Sequence, residues 1–229
     1  MSSKIKTRKR AAVSNQRDPE RTRARILAAA LKEFSANGLA GARVDLIARR
    51  ASINKRMLYH YFGNKKELFR AVLEHKMADR APWLTAAPED PMEIMPYWFD
   101  LICNDTDWIR LLEWEALQEP VTKIANESNR RKTLENWVDR IARGQATGKI
   151  SKVFDPRHVV LSISAMIVFP LAFPQLTKLL TGLSITDSEF QRDHLKFLSQ
   201  FAAAIRSQAS INEPLNLWKK PLSAKAEKK

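Results

Sequence analysis

The chain has 229 residues, 45% of them hydrophobic, and a formal charge of +14. That is enough apolar material for a sizeable core, in one large domain or in a small one joined to a larger one. The single cysteine, Cys103, excludes an internal disulfide framework, and no metal-ligand spacing surrounds it. It reads as a small buried hydrophobe.

The charge is one-sided. Residues 1–82 hold 20 Lys/Arg against 7 Asp/Glu, whereas residues 83–229 hold 19 against 18. A basic first third is the electrostatic footprint of a polyanion-binding surface. The basic N-terminus is followed by no apolar stretch of secretory type, so a cytoplasmic protein is expected. Residues 158–177 carry no Asp, Glu, Lys or Arg and raise the question of a membrane span. Ser162, Ser164, Pro170, Pro174, Gln175 and Thr177 interrupt them, and a helix buried among protein neighbours is expected instead.

In chain order, residues 1–17 hold six Lys/Arg and no acid, and read as a disordered basic arm. Asp18 can cap a first helix, with Pro19 at its first position and Glu20 at its positive end. Leu27, Ala30, Leu31 and Phe34 then form one apolar stripe, and Asn37-Gly38 closes the helix. A short second helix is expected from Val44 to Ala51 and a third from Lys55 to Phe62, with a tight turn at Ser52-Ile53-Asn54 between them. Leu58 and Phe62 are the inward pair of the third helix. Asn64 followed by Glu67 resembles a capping box and starts a fourth helix, which Pro82 ends at the latest. Residues 85–91 read as a loop. Further helices are expected near 91–103, 106–118, 121–146, 156–180 and 187–209, with Asp105, Asp155 and Asp187 as caps or cap neighbours. No segment alternates with period two, so the fold class is all-α. The tail from residue 212 reads as loose and basic. The expected domains are 18–81 and 82–211, flanked by the arm at 1–17 and the tail at 212–229.

Two short helices across a tight turn form a helix-turn-helix pattern. Ala48 and Ala51 supply small residues where the helices cross, and Ile53 the apolar residue of the turn. Asn54, Lys55, Arg56, Tyr59, His60 and Lys65 offer donors for phosphates or base edges. There is no P-loop, dinucleotide glycine pattern, metal-binding His pair or nucleophile elbow, and His60, His75, His158 and His194 are scattered. Glu113 and Glu115 stand two apart and do not share a helix face. Neither catalysis nor a metal or cofactor is expected.

The run Arg25-Ile26-Leu27-Ala28-Ala29-Ala30-Leu31-Lys32-Glu33-Phe34-Ser35-Ala36-Asn37-Gly38 resembles the first helix of the TetR family of transcriptional regulators. Val44-Asp45-Leu46-Ile47-Ala48-Arg49-Arg50-Ala51 resembles its second helix. Leu58-Tyr59-His60-Tyr61-Phe62-Gly63-Asn64-Lys65-Lys66-Glu67-Leu68 resembles its recognition helix and the start of its fourth. The likeness covers about residues 20–75. It departs at Ser52, where the turn usually holds Gly. It departs again at Ala42-Arg43, where a Thr or Ser often precedes the second helix, and at Arg56-Met57, where smaller residues are usual.

The resemblance implies an N-terminal helix-turn-helix DNA-binding domain and a C-terminal helical domain for effector binding and dimerisation. Tyr59 and Lys65 then stand at phosphate-contacting positions, with Arg43 able to replace the lost hydroxyl contact. Asn54, Lys55 and Arg56 stand where bases are read, and His60 and Tyr61 lie near DNA. The last two helices usually dimerise. Candidates there are Phe169, Phe173, Leu195, Phe197, Leu198 and Phe201, with ordinary core as the competing reading. Trp98, Trp108, Trp114, Trp137 and Met166 are candidates to line a small-molecule pocket, again against a reading as plain core. The expected function is a sequence-specific, ligand-responsive repressor that binds double-stranded DNA as a homodimer at a near-palindromic operator. The alternatives are a nonspecific architectural DNA-binding protein or an activator.

Overall fold

The computed structural model describes residues 18–90, 93–118, 120, 122 and 124–207. The expected basic arm, with Lys6, Arg8, Lys9 and Arg10, and the tail at 212–229 lie outside the described residues. All regular structure among the described residues is helical. The chain divides into two compact units, one up to Val72 and one from Leu73. That division falls inside the fourth helix rather than after it, so a single helix contributes residues to both units.

The first unit contains α1 (Pro19–Gly41), α2 (Val44–Arg50), α3 (Lys55–Phe62) and the first half of α4 (Lys65–Asp79). Asp18 caps α1 by accepting from the Glu20 and Arg21 amides at 3.0 and 3.3 Å. The helix breaks at Gly38, whose φ of +65° only glycine adopts at little cost. A further turn carries the chain to Gly41, and the Ala42 amide closes on the Gly38 carbonyl. Ile26, Leu27, Ala30 and Phe34 of α1 are buried, as are Ile47 and Ala48 of α2, Leu58 and Phe62 of α3, and Leu68, Phe69 and Val72 of α4. The Phe34 and Phe69 rings meet edge to face at 5.1 Å.

The second unit is built from the end of α4 and α5 (Ala81–Ala86), α6 (Ile94–Cys103), α7 (Thr106–Gln118), α8 (Glu127–Ala146), α9 (Pro156–Ala172), α10 (Pro174–Thr181) and α11 (Ser188–Ser207). Helix α6 is apolar almost all round and packs against α7, α9 and α11. Its Met95, Phe99 and Ile102 join Ile109, Ile141, Ile163, Ile167, Leu171, Phe190 and Leu198 in one core.

Three sequence expectations change here for local reasons. Pro82 does end α4, but it also suits a first helical turn, so α5 occupies part of the expected loop. The expected helix from 121 starts at Glu127, because Asn126 is left-handed with φ +51°. Upstream of it, Glu115 accepts from the Ala125 amide at 3.0 Å and from Arg130 Nη1 at 2.6 Å, fixing the connection. The expected helix 156–180 is two helices, bent by 90° at Phe173 because Pro174 opposes helical geometry in the residue before it.

The two prolines of this corner each leave a carbonyl without its usual partner, since proline has no N–H to give the residue four positions back. The Met166 carbonyl, orphaned by Pro170, accepts from His194 Nε2 at 3.1 Å. The Pro170 carbonyl, orphaned by Pro174, accepts from the Thr177 hydroxyl at 3.0 Å. No single helix among the described residues is long and apolar enough to cross a membrane, and Ile163, Ile167 and Leu171 of the apolar stretch are buried in the core.

Candidate nucleic-acid interface and a separate cavity

The turn between α2 and α3 has a defined geometry. The Ile53 amide donates to the Ala48 carbonyl at 3.0 Å and the Ser52 amide to that of Arg49 at 3.1 Å. These are the two bonds of a Schellman motif, with its left-handed residue at Ser52, φ +54°. The motif accounts for the apolar Ile53 and for the glycine that resembled sequences carry in place of Ser52. Asn54 then caps α3, its Oδ1 accepting from the Met57 amide at 2.7 Å. That oxygen is committed to the helix, so Asn54 offers a ligand chiefly its amide N–H groups. Asn64 caps α4 by accepting from the Glu67 amide at 2.9 Å. The reciprocal half of the expected box is replaced, because the Glu67 carboxylate pairs with Arg70.

The outward side of α3 carries Lys55, Arg56, Tyr59 and His60, all exposed, with exposed Arg43 just before α2. Arg56 makes no hydrogen bond or ion pair among the described residues. Lys55 pairs loosely with Asp45 at 3.2 Å, both half or more exposed. Lys65 is less exposed, and its Nζ donates to the Ala40 carbonyl at 3.0 Å, which sets it beside the α1–α2 junction that also holds Arg43. Two of its three N–H groups stay available. Tyr61 is half-buried, its ring 6.1 Å from His60 and 6.3 Å from Phe62, so it stands at the edge of the core rather than on the outer face. Arg23 covers the Phe62 ring at 5.3 Å.

One residue that orders this site, Glu33, stands in the α1 run quoted above but was given no role from sequence. Glu33 is 2% exposed. Its carboxylate accepts from the Arg43 amide at 3.0 Å, Asn37 Nδ2 at 3.2 Å and Arg50 Nη1 at 2.8 Å. The carboxylate thus supplies the N-terminal cap of α2 that the side chain of Arg43 does not, and it also ties down the last residue of that helix. An acid within an apolar helical face was the signal available in the sequence.

The second unit contains a cavity of about 240 Å³ that is partly open to solvent. Trp98, Trp108 and Trp137 line it with Arg80, Thr133 and Ser164, the rest of the wall being aliphatic. Trp114 and Met166, expected in the pocket, do not line it. Met166 faces the core, on the side where its carbonyl takes His194. Asp105, expected as a cap or cap neighbour, directly precedes α7, where its carbonyl accepts from the Trp108 amide at 3.2 Å, while its carboxylate accepts from Lys76 Nζ at 2.6 Å and Arg80 Nη1 at 3.0 Å. The Arg80 guanidinium lies 4.7 Å from the Trp83 ring and 5.1 Å from that of Trp108. Burial pulls it down to about 10 against the opposing attraction of Asp105, and it stays cationic at neutral pH.

Burial, with a smaller push from Asp100, raises the Cys103 thiol to about 11, as befits a side chain packed against the core. Glu115 is committed to Arg130, and burial raises the carboxyl of Glu113 against the pull of Arg110. Among the described residues no group of three or more His, Cys, Asp or Glu could hold a metal ion.

Residues 26–72 match the sequence family described as bacterial regulatory proteins, tetR family, and residues 96–197 match a tetracyclin repressor-like C-terminal domain. The chain is 35% identical over 184 residues to the HTH-type transcriptional repressor SCO4008 of Streptomyces coelicolor, covering 79% of this chain and 94% of that one. It is 29% identical over 210 residues to the HTH-type transcriptional repressor NicS of Pseudomonas putida, covering 86% and 97%. The crystal structure of SCO4942 from Streptomyces coelicolor superposes with a TM-score of 0.67 at 26% identity, over 79% of this chain and 97% of that one.

Proposed function

This chain belongs to the TetR family of bacterial transcriptional regulators, and from that premise we propose that it is a ligand-responsive repressor acting as a homodimer in the cytoplasm. The observation that carries the DNA half is the outward face of α3, where unpaired Arg56 stands with Lys55, Tyr59 and His60 on a helix capped at its start by Asn54. Arg56 reads a base, because a guanidinium can pair bidentately with guanine. Arg43, Lys65 and Tyr59 hold phosphates, and Asn54, Lys55, His60 and Tyr61 complete the contact. Two such helices enter successive major grooves of a near-palindromic operator, about 34–36 Å apart.

Dimerisation rests on an apolar surface in the second unit. Phe169, Phe173 and Phe197 are 42–54% exposed, and Leu176, Leu179 and Leu180 on α10 are 43–83% exposed. Phe169 and Phe173 also lie ring to ring at 5.0 Å, and exposed apolar groups gathered in this way mark an interaction site. Leu198, a candidate from sequence, is fully buried and belongs to the core, while Leu195 and Phe201 pack partly against it. The cavity serves as the effector site. Met77 and Arg80 in its wall lie on or just after α4, whose first half belongs to the DNA-binding unit. A ligand shifts operator affinity only by preferring one state of the protein.

The test is fluorescence anisotropy with DNA from upstream of the protein's own gene, against scrambled DNA of equal length at near-physiological salt. Preference by about a thousandfold or more supports a sequence-specific regulator. Equal binding to the operator candidate and to scrambled DNA would favour an architectural protein instead.

A further inference from the structure

Asp105 is a single carboxylate shared by two cations. Lys76 reaches one oxygen at 2.6 Å and Arg80 the other at 3.0 Å, and all three side chains are 9–14% exposed. The cluster therefore keeps one uncompensated positive charge largely out of water. Of its members Arg80 lines the cavity, and no Asp or Glu lies among the described lining residues. An adjoining hollow of about 220 Å³ shares Leu84, Thr133 and Trp137, and adds Arg140 and Arg143 against Asp139. Arg140 is partly compensated by Glu89 at 3.2 Å. The remaining described wall is apolar, tryptophan, leucine, isoleucine, valine and Met77, apart from the hydroxyls of Thr133 and Ser164.

From this arrangement, and resting on the effector reading above, we propose that the cavity takes an aromatic carboxylate, with its ring among Trp98, Trp108 and Trp137 and its carboxylate at Arg80. Three considerations fix that class. A buried net charge is costly and is relieved by an anion. A guanidinium matches a carboxylate in plane and can donate two parallel bonds. Cavities of about 150 Å³ hold a benzene ring, so about 240 Å³ suits a body of roughly two fused rings. Tryptophan faces also attract cations, but here a cation would enter against Arg80 with no carboxylate in the wall to offset it.

The test is isothermal titration of the full-length protein with three probes of one shape: 1-naphthoate, 1-naphthamide and 1-naphthylmethylammonium. The expected order is naphthoate tightest, by about tenfold over the amide, and the ammonium weakest. Arg80→Gln should bring naphthoate to the level of the amide and leave the amide within about twofold. Lys76 then still balances Asp105, so the variant keeps no orphaned carboxylate. Should that variant not fold, the ranking by the unaltered protein decides alone. Equal affinity for acid and amide, tightest binding of the ammonium, or binding of none of the three overturns the proposal.

Operator affinity is measured separately with each probe present. If naphthoate binds in the expected order but DNA binding is unchanged, the ligand class stands and the sensor reading fails. If the amide or the ammonium releases DNA and naphthoate does not, the sensor reading stands and the ligand class fails.

Discussion

Glu33 gives the sharpest test of how the DNA-binding unit is held together. Replacing it with alanine removes the acceptor of the Arg43 amide, the partner of Arg50 and a bond from Asn37. Hydrogen bonds to a charged group are each worth about 1.5–3 kcal/mol, and they do not sum. Arg50 is 45% exposed, so water takes over its charge, and that pair contributes only up to about 1 kcal/mol. The larger part of the loss is the α2 cap, with a small void where the side chain was buried. We expect Glu33→Ala to destabilise the unit by about 2–4 kcal/mol. Glu33→Gln keeps an oxygen for the Arg43 amide and gives up the charge, so about 1 kcal/mol is expected. The assay is urea denaturation followed by hydrogen exchange at the Arg43, Leu46 and Ile47 amides, since a chain of two units need not unfold in one step. Glutamine as damaging as alanine would show that charge rather than the cap dominates. Alanine within about 0.5 kcal/mol of the unaltered protein would refute the assignment of Glu33 as the organising residue.

Ser52→Gly should stabilise the same unit by about 1 kcal/mol, because a left-handed φ costs a side chain roughly that much; unchanged urea midpoints would contradict the strain. Arg56→Ala should cost about 1–3 kcal/mol on the operator and relax selectivity at one position, whereas uniform weakening on all DNA would make it a phosphate contact. Lys65→Ala should weaken all DNA alike and reduce the logarithmic salt slope by about 1; an unchanged slope would remove its phosphate role. His194 sits lower than an ordinary histidine because burial outweighs its bond to the Met166 carbonyl. With the folded value below the unfolded one, the unfolded state takes up more protons as pH falls. The stability due to His194 is therefore complete above about pH 6.5 and is lost below it. Denaturation at pH 8.0 and 5.5 should show that loss, and His194→Gln, which keeps an N–H donor, should reduce it.

The first unit was legible because its signals are local. Asp18, Pro19, Gly38 and Asn64 each act within a few residues of themselves, and the stripe through Leu27, Ala30 and Phe34 has one period. Ile53 and the absent glycine at Ser52 were readable for the same reason. What escaped was the side chain that works at a distance. Glu33 reaches Arg43 and Arg50 across a turn, and Asp105 meets Lys76 and Arg80 across 25 or more positions. In the second unit the apolar run at 158–177 concealed its corner, because hydrophobic content does not register a 90° bend. Of the five residues expected in the pocket, three tryptophans line it. The sequence ranked aromatics by type, whereas the helix face decided which of them turned inward.

The carbonyls orphaned by Pro170 and Pro174 also bear on how this chain can change over generations. His194 is needed for its donor only while Pro170 denies Met166 a backbone partner. An alanine at 170 would return that partner and free position 194 to drift, whereas loss of His194 with Pro170 in place strands a polar atom. The order of substitution thus matters at two sites 24 positions apart in sequence. Thr177 and Pro174 form a second such pair along the same corner. The expected outcome is that His194→Ala or Thr177→Ala destabilises the chain less when the proline of its pair is replaced as well, read by urea denaturation of the double variants.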